Sequence, residues 1–375
     1  MNLNIRIFIA LMLFLLLAGS VYSQSTAERT DYPIGVNFSL WKGVSTQRND
    51  SVGQSVLNVG LVSTLSQLNG LGVNALGSMT RHHVNGVQLT GLASMIRQSM
   101  NGLAVTGLVG IYADRMNGLS ITGLAGIGGT ESNGMMVSGL LNLGGTDASG
   151  LLLAGIANIV GEHFRGLSIG GLMNVAGDRM QGMQLSGILN VATHAYGVQL
   201  APVNVTVKGK GVQIGLVNYY QQEFEGVQLG LVNLHAQTHI QLMTFGGNRS
   251  KLNLAVRFKN ELFYTMLGIG SPYLDFKDKF SGSAFYRAGM EVPVYKKLYL
   301  SGDLGYQHVE TFRNKHHGSP VRFYAIQARL NLELRAHERL GYFVSGGYSH
   351  ERIYRHSGIY KHKPIIEGGI VFYSF

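Results

Sequence analysis

The chain has 375 residues, 45% of them hydrophobic and only 13% charged, about half the usual charged share. That balance excludes disorder for most of the chain, and 52 Gly against 6 Pro without a Gly-X-Y period excludes collagen. Cysteine is absent, which excludes disulfides, thiolate metal sites, cysteine nucleophiles and a lipid-modified N-terminal cysteine, while the net charge of +10 favours anionic partners over nucleic-acid-like specificity.

Arg6 precedes an unbroken apolar run over residues 7–18. Val21 and Ser23 then stand where a signal peptidase reads small residues, so 1–23 is expected to be a secretory signal peptide cleaved before Gln24. The apolar run is too short for a membrane-spanning helix, which needs about 20 residues. Residues 24–69 are read as an N-terminal strand and a cap. In 32–41, Tyr32, Ile34, Val36, Phe38 and Leu40 alternate with Gly35, Asn37 and Ser39, the period of a strand.

Residues 70–238 form a repeat array. Gly70, Gly86, Gly102, Gly118, Gly134, Gly150, Gly166 and Gly182 are sixteen residues apart, and the spacing tightens through Gly197, Gly211 and Gly226. Sixteen residues cannot hold two helices and their turns. Val212, Ile214 and Leu216 alternate with Gln213, Gly215 and Val217, which is strand periodicity. Each repeat therefore predicts one coil of a β-solenoid, about eleven coils at roughly 4.8 Å each. Longer repeats carry an extra residue beside a second glycine, as at Ser186-Gly187, which marks a bend. Asn142, Asn158, Asn174, Asn190, Asn204, Asn218 and Asn233 share one repeat position. Stacked in parallel, their amides form a hydrogen-bonded ladder; as isolated residues they mark turns. Asp114, Glu131, Asp147, Glu162 and Asp178 recur near one phase, beside Arg115, Arg165 and Arg179. A solvated edge is the plainer reading, and stacked carboxylates binding a cation the sharper one.

From 239 to the end the pattern changes. Tyr286, Ala288, Met290 and Val292 oppose Arg287 and Glu291; Leu298, Leu300, Leu304 and Tyr306 oppose Ser301, Asp303 and Gln307; Ile326, Ala328, Leu330 and Leu332 oppose Gln327, Arg329, Asn331 and Glu333. Apolar residues outward and charges inward predict an antiparallel outer-membrane-type barrel. Tight turns at Lys259-Asn260, Tyr295-Lys296-Lys297 and 336–339 alternate with longer loops near 271–281, 310–320 and 351–363. The chain ends in Phe375 after Val371 and Tyr373, which resembles the assembly signal of outer-membrane barrels. Seven strands follow residue 251, and an even count needs an eighth. The better-alternating 32–41 is the expected partner, with 239–247 second. The first choice makes the solenoid an insertion displayed outside the cell; the second puts it in the periplasm.

The phrase Gly-Val-Gln-Ile-Gly-Leu-Val-Asn at 211–218, repeated as Gly-Val-Gln-Leu-Gly-Leu-Val-Asn at 226–233, resembles the surface-repeat family of exported proteins from spirochaetes and Bacteroidetes. The resemblance covers about 70–238. It implies a cell-surface protein, favours the outer placement, and supplies no catalytic residue to carry over.

The fold class expected is thus all-β, a solenoid joined to an approximately eight-stranded barrel. The expected function is non-enzymatic: a barrel-anchored repeat array with a structural or adhesive role, without cofactor or metal. A small pore is the alternative, and a glycan-acting enzyme on a β-helix is disfavoured because acids and histidines do not converge. Arg313, Lys315, Arg352, Arg355, Lys361 and Lys363, with His316 and His317 nearby, make the long loops basic. They are the candidate contacts for lipopolysaccharide phosphates or anionic glycans, against a plain reading as solvated loops.

Overall fold

The computed structural model describes residues 34–41, 44–46, 54–235, 237–314, 322–354 and 360–373. The expected signal peptide over 1–23 and the terminal Phe375 lie outside the described residues. The structure is all-β, with a parallel β-solenoid of about 11 turns followed by a closed eight-stranded antiparallel barrel.

The solenoid follows from its spacing. Gly118 pairs with Gly134, Asn117 with Asn133 and Leu119 with Met135, each residue beside the one sixteen further on. Where the repeat shortens, residues are lost at corners and the strands keep register. Leu185 pairs with Leu200 and Leu189 with Val203, leaving three residues between on one rung and two on the next. Eleven glycines, Gly70 to Gly226, bend their coils with φ between 107° and 153°. At Gly118 a side chain is doubly barred: φ is 127°, and a Cβ would lie 2.2 Å from the Gly102 carbonyl oxygen. This bend, with the turns at 123–124 and 129–130, divides a coil into three short runs, 115–117, 119–122 and 125–128.

The alternating faces are arranged in an unusual sense. Met116, Ser120 and Thr122 point inward and are buried, while Leu119, Ile121, Ala125 and Ile127 point outward. The core combines Met, Leu, Ile, Val, Tyr, Phe and Ala side chains with Asn, Gln, Ser and Thr. Its polar members bond one another, as Thr122 Oγ1 does with Ser138 Oγ at 2.6 Å.

The barrel closes through His239–Gly247, which pairs with Leu252–Asn260 on one side and Tyr360–Tyr373 on the other. The expectation that 32–41 opens the barrel is therefore wrong. Ile34–Trp41 runs parallel to Gln54–Leu65 as the first rung of the solenoid among the described residues. The reason is Asn37. It is fully buried and donates from Nδ2 to Asn58 Oδ1 at 2.7 Å, at an inward position of the coil in register with Asn58, Gly72 and Gln88. The period-2 pattern of 32–41 is that of a coil, with the polar residue inside. The solenoid precedes the whole barrel and is not inserted into it.

One barrel end carries two-residue turns at 261–262, 296–297 and 338–339; the other carries the connections 248–251, 272–278, 315–321 and 354–359. The first turn lies two residues beyond the predicted Lys259-Asn260, because Lys259 continues the strand and points inward to Glu291. The start of His239–Gly247 and the end of Tyr360–Tyr373 both lie on the short-turn side. The solenoid therefore enters there.

Candidate functional site: a filled barrel and an asymmetric solenoid

The inward positions of the barrel bring nine charged side chains together. Arg257 reaches Glu333 at 2.8 Å and Glu291 at 3.4 Å, and Glu291 also pairs with Lys259 and with Arg335 at 2.8 Å. Glu367 holds Arg287 at 3.1 Å and Arg329 at 3.2 Å, and Asp303 holds Arg329 at 3.3 Å. Tyr264 and Asn331 donate to Asp303, at 3.0 and 2.8 Å. Five cations face four carboxylates, so removing either partner leaves a charge in low dielectric, which costs about 3–5 kcal/mol. Beside this network Phe245 meets Phe285 and Phe343 edge-on at 5.9 and 5.6 Å. An eight-stranded barrel has an interior just wide enough for side chains, and these fill it.

The outer wall is apolar in its middle, with Leu304, Ile326, Leu330, Val344 and Ile366 exposed. Tyr295 and Tyr342 lie exposed toward the short turns, and Phe276, Phe312, Tyr348 and Tyr354 toward the long loops. Aromatic residues thus flank an apolar band on both sides, as the girdles of transmembrane barrels do.

The seven repeat asparagines form an unbroken chain of amide hydrogen bonds inside the solenoid. Asn142, Asn158, Asn174, Asn190, Asn204 and Asn218 each donate from Nδ2 to the next Oδ1, at 2.8 to 3.1 Å, ending on Asn233. Two further ladders escaped the sequence reading. Gln228, Gln213, Gln199 and Gln184 are linked inside at 2.6 to 2.9 Å. Asn133, Asn117, Asn101, Asn85 and Asn69 are linked outside, at 2.7 to 3.2 Å. Their shared spacing was the available signal. The interior also holds Tyr112, whose phenol burial pushes up to about 12, a hydrogen bond with Ser120 opposing the shift.

The five recurring carboxylates do not share one column. Glu131 and Asp147 stack directly, with Arg115 and His163 on either side in that column. Asp178 stands one position off, bonded to His194 at 2.6 Å and paired with His163 at 3.5 Å. Among the described residues no three His, Asp or Glu groups converge as metal ligands do.

The basic loop residues are only partly described. Lys361 is exposed, Lys363 pairs with Glu351 at 3.1 Å, and Arg352 donates to Tyr324 Oη at 3.4 Å. The Arg313 side chain, Lys315, His316, His317 and Arg355 lie outside the described residues. A cleft of about 660 Å³ opens instead at the short-turn mouth, between solenoid and barrel, with His235, His239, Lys259, Lys297, Arg335 and His337 among its lining.

The last coil closes onto the outside of the barrel wall. Tyr286 Oη donates to Gly230 O at 2.8 Å, Asn260 Nδ2 to Asn233 O at 3.1 Å, and Asn233 Nδ2 reaches Thr265 Oγ1 at 3.5 Å. Thr265 points outward from the barrel yet is buried, because this coil covers it.

No family model and no curated protein matches the chain. Among solved structures it is similar to the N-terminal β-barrel domain of OprF from Pseudomonas aeruginosa. The identity is 12% and the TM-score 0.25, over 36% of this chain and 96% of that one.

Proposed function

We propose that this protein is an outer-membrane barrel that carries its repeat array on the periplasmic side, with a structural or binding role and no catalysis. The observation that carries the reading is the barrel's polarity. An apolar band between aromatic girdles surrounds an ion-paired interior, and short turns gather at one end with longer connections at the other. In such barrels the short turns are periplasmic, and the solenoid joins at that end. The filled interior supports an anchor over the alternative of a pore. Contact of Lys361 and its loop neighbours with lipopolysaccharide phosphates belongs to this reading, on the outer side.

Fractionation tests it. The full chain, expressed in a bacterium with two membranes, is expected in the outer-membrane fraction, migrating faster on a denaturing gel when unheated than when boiled. Recovery in the soluble fraction without such a shift would overturn the proposal. In planar bilayers the purified protein is expected to give no steady conductance; regular single-channel steps would favour the pore.

A further inference from the structure

The outward faces of the solenoid are apolar and the charges are confined to one edge. In five consecutive coils, over 118–129, 134–145, 150–161, 166–177 and 182–193, the twelve residues from the bend glycine hold no Asp, Glu, Lys or Arg, and in two earlier coils Arg81 and Arg97 stand at the twelfth position, next to the charged edge. The charged residues fall in the short stretches between, as Asp114 and Arg115, Asp147, Arg165, and Asp178 and Arg179 do. Of the three runs in a coil, the one before the glycine is polar outside and the other two are apolar outside. At the corner between those two, Leu140, Ile156, Leu172 and Ile188 stack with exposures of 41%, 37%, 46% and 53%.

The size of this surface decides what it needs. Two apolar runs of about four residues span roughly 26 Å of perimeter, and about eleven coils at 4.8 Å make on the order of 1,300 Å². The largest apolar patch on a typical soluble monomer is about 300–600 Å². The coil meanwhile meets the condition that lipid imposes. Its backbone groups pair from rung to rung, its seven stacked asparagine amides pair with one another, and the last rung gives Gly230 O and Asn233 O to Tyr286 and Asn260 of the barrel. The seam at Asn260, Thr265 and Tyr286 lies on strands whose outward Leu254 and Ile269 are exposed, so the apolar wall of the barrel continues into that of the solenoid.

We infer that the solenoid is itself a lipid-embedded element, lying in the periplasmic leaflet beside the short-turn end of the barrel, with its two apolar faces among the acyl chains and its charged edge in the periplasm. This rests on the outer-membrane reading of the barrel. Acyl chains are the occupant that fits, because the surface turns a corner. A flat protein partner covers one face, whereas a fluid phase covers both and continues without a seam onto the barrel belt.

The absence of native cysteine permits single-site probes on the full chain. Leu172→Cys and Ile188→Cys report the apolar corner, Arg165→Cys the charged edge, and Ile326→Cys the barrel belt. Each variant is labelled with a polarity-sensitive fluorophore and reconstituted into phosphatidylcholine nanodiscs. Quenching is read with lipids spin-labelled on the acyl chain and, separately, with aqueous iodide. The inference expects probes at 172 and 188 to match the belt probe, quenched by spin-labelled lipid and several-fold less sensitive to iodide than the probe at 165. Iodide quenching at 172 and 188 while the belt probe stays lipid-quenched would overturn the inference and leave the barrel in the membrane. Shielding of 172 and 188 from both quenchers would overturn it in favour of a second protein copy on that face. A belt probe quenched by iodide would overturn the membrane reading itself, and this inference with it.

Discussion

At the scale of single residues, asparagine amides that recur every sixteen positions serve two environments, one inside the coil and one outside. Asn174 is fully buried: its Oδ1 accepts from Asn158 and Ser168, and its Nδ2 donates to Asn190 and to the Leu185 carbonyl. Asn117 has neighbours of the same kind, Asn101 and Asn133, but on the outside of the coil. The buried amide has no water to replace a lost partner. Asn174→Ala is therefore expected to cost about 1–3 kcal/mol for each group it orphans, chiefly Asn190 Oδ1 and Ser168 Oγ. Asn117→Ala should stay within about 0.5 kcal/mol. Hydrogen exchange on the full chain in detergent reads both. Amides around 158–190 should exchange about tenfold faster or more in the first variant, since 1.4 kcal/mol is a factor of ten. Equal exchange in the two variants would contradict the distinction between inner and outer ladders.

At the scale of elements, each coil touches only its neighbours, and register is the property that must survive. Deleting 118–133 joins Asn117 to Gly134 and restores the same phrase, so the solenoid should shorten by one rung and stay folded. Deleting 118–125 joins Asn117 to Gly126, bringing a residue of the third run where the bend glycine belongs, and the coils on either side should open. Limited proteolysis distinguishes the two: resistance for the sixteen-residue deletion, cleavage within 100–150 for the eight-residue one. Equal behaviour would count against nearest-neighbour stacking.

Much of this element-level structure was legible. The period of sixteen, the alternation and the inward charges of 286–334 lead to a solenoid and a barrel because each pattern has one compatible geometry. Two things were not legible. Alternation shows that Gln213 and Ile214 face opposite ways, but not which faces in; the glycine bends decide that, and they place Ile214 outside. The role of 32–41 was missed because a solenoid rung and a barrel strand share period 2. The buried Asn37 distinguishes them, and its placement became visible only with its partner Asn58.

At the scale of the whole molecule, the barrel serves as the cap of the solenoid. A parallel stack ends in an unpaired edge that invites association with other chains. Here the outer wall at Asn260, Thr265 and Tyr286 covers that edge. The same seam ties the side of the membrane on which the repeats lie to the direction in which the barrel is threaded. Residue 239 enters at the short-turn end, so repeats and short turns share a side. One labelling experiment on intact cells tests this most directly, using a membrane-impermeant maleimide and two single-cysteine variants of the full chain. Lys361→Cys, on the long-connection side, should label in intact cells. Arg165→Cys, on the charged edge of the solenoid, should label only after the outer membrane is permeabilised. Labelling of Arg165→Cys on intact cells, with a periplasmic control protein protected, would contradict the account and place the repeats outside.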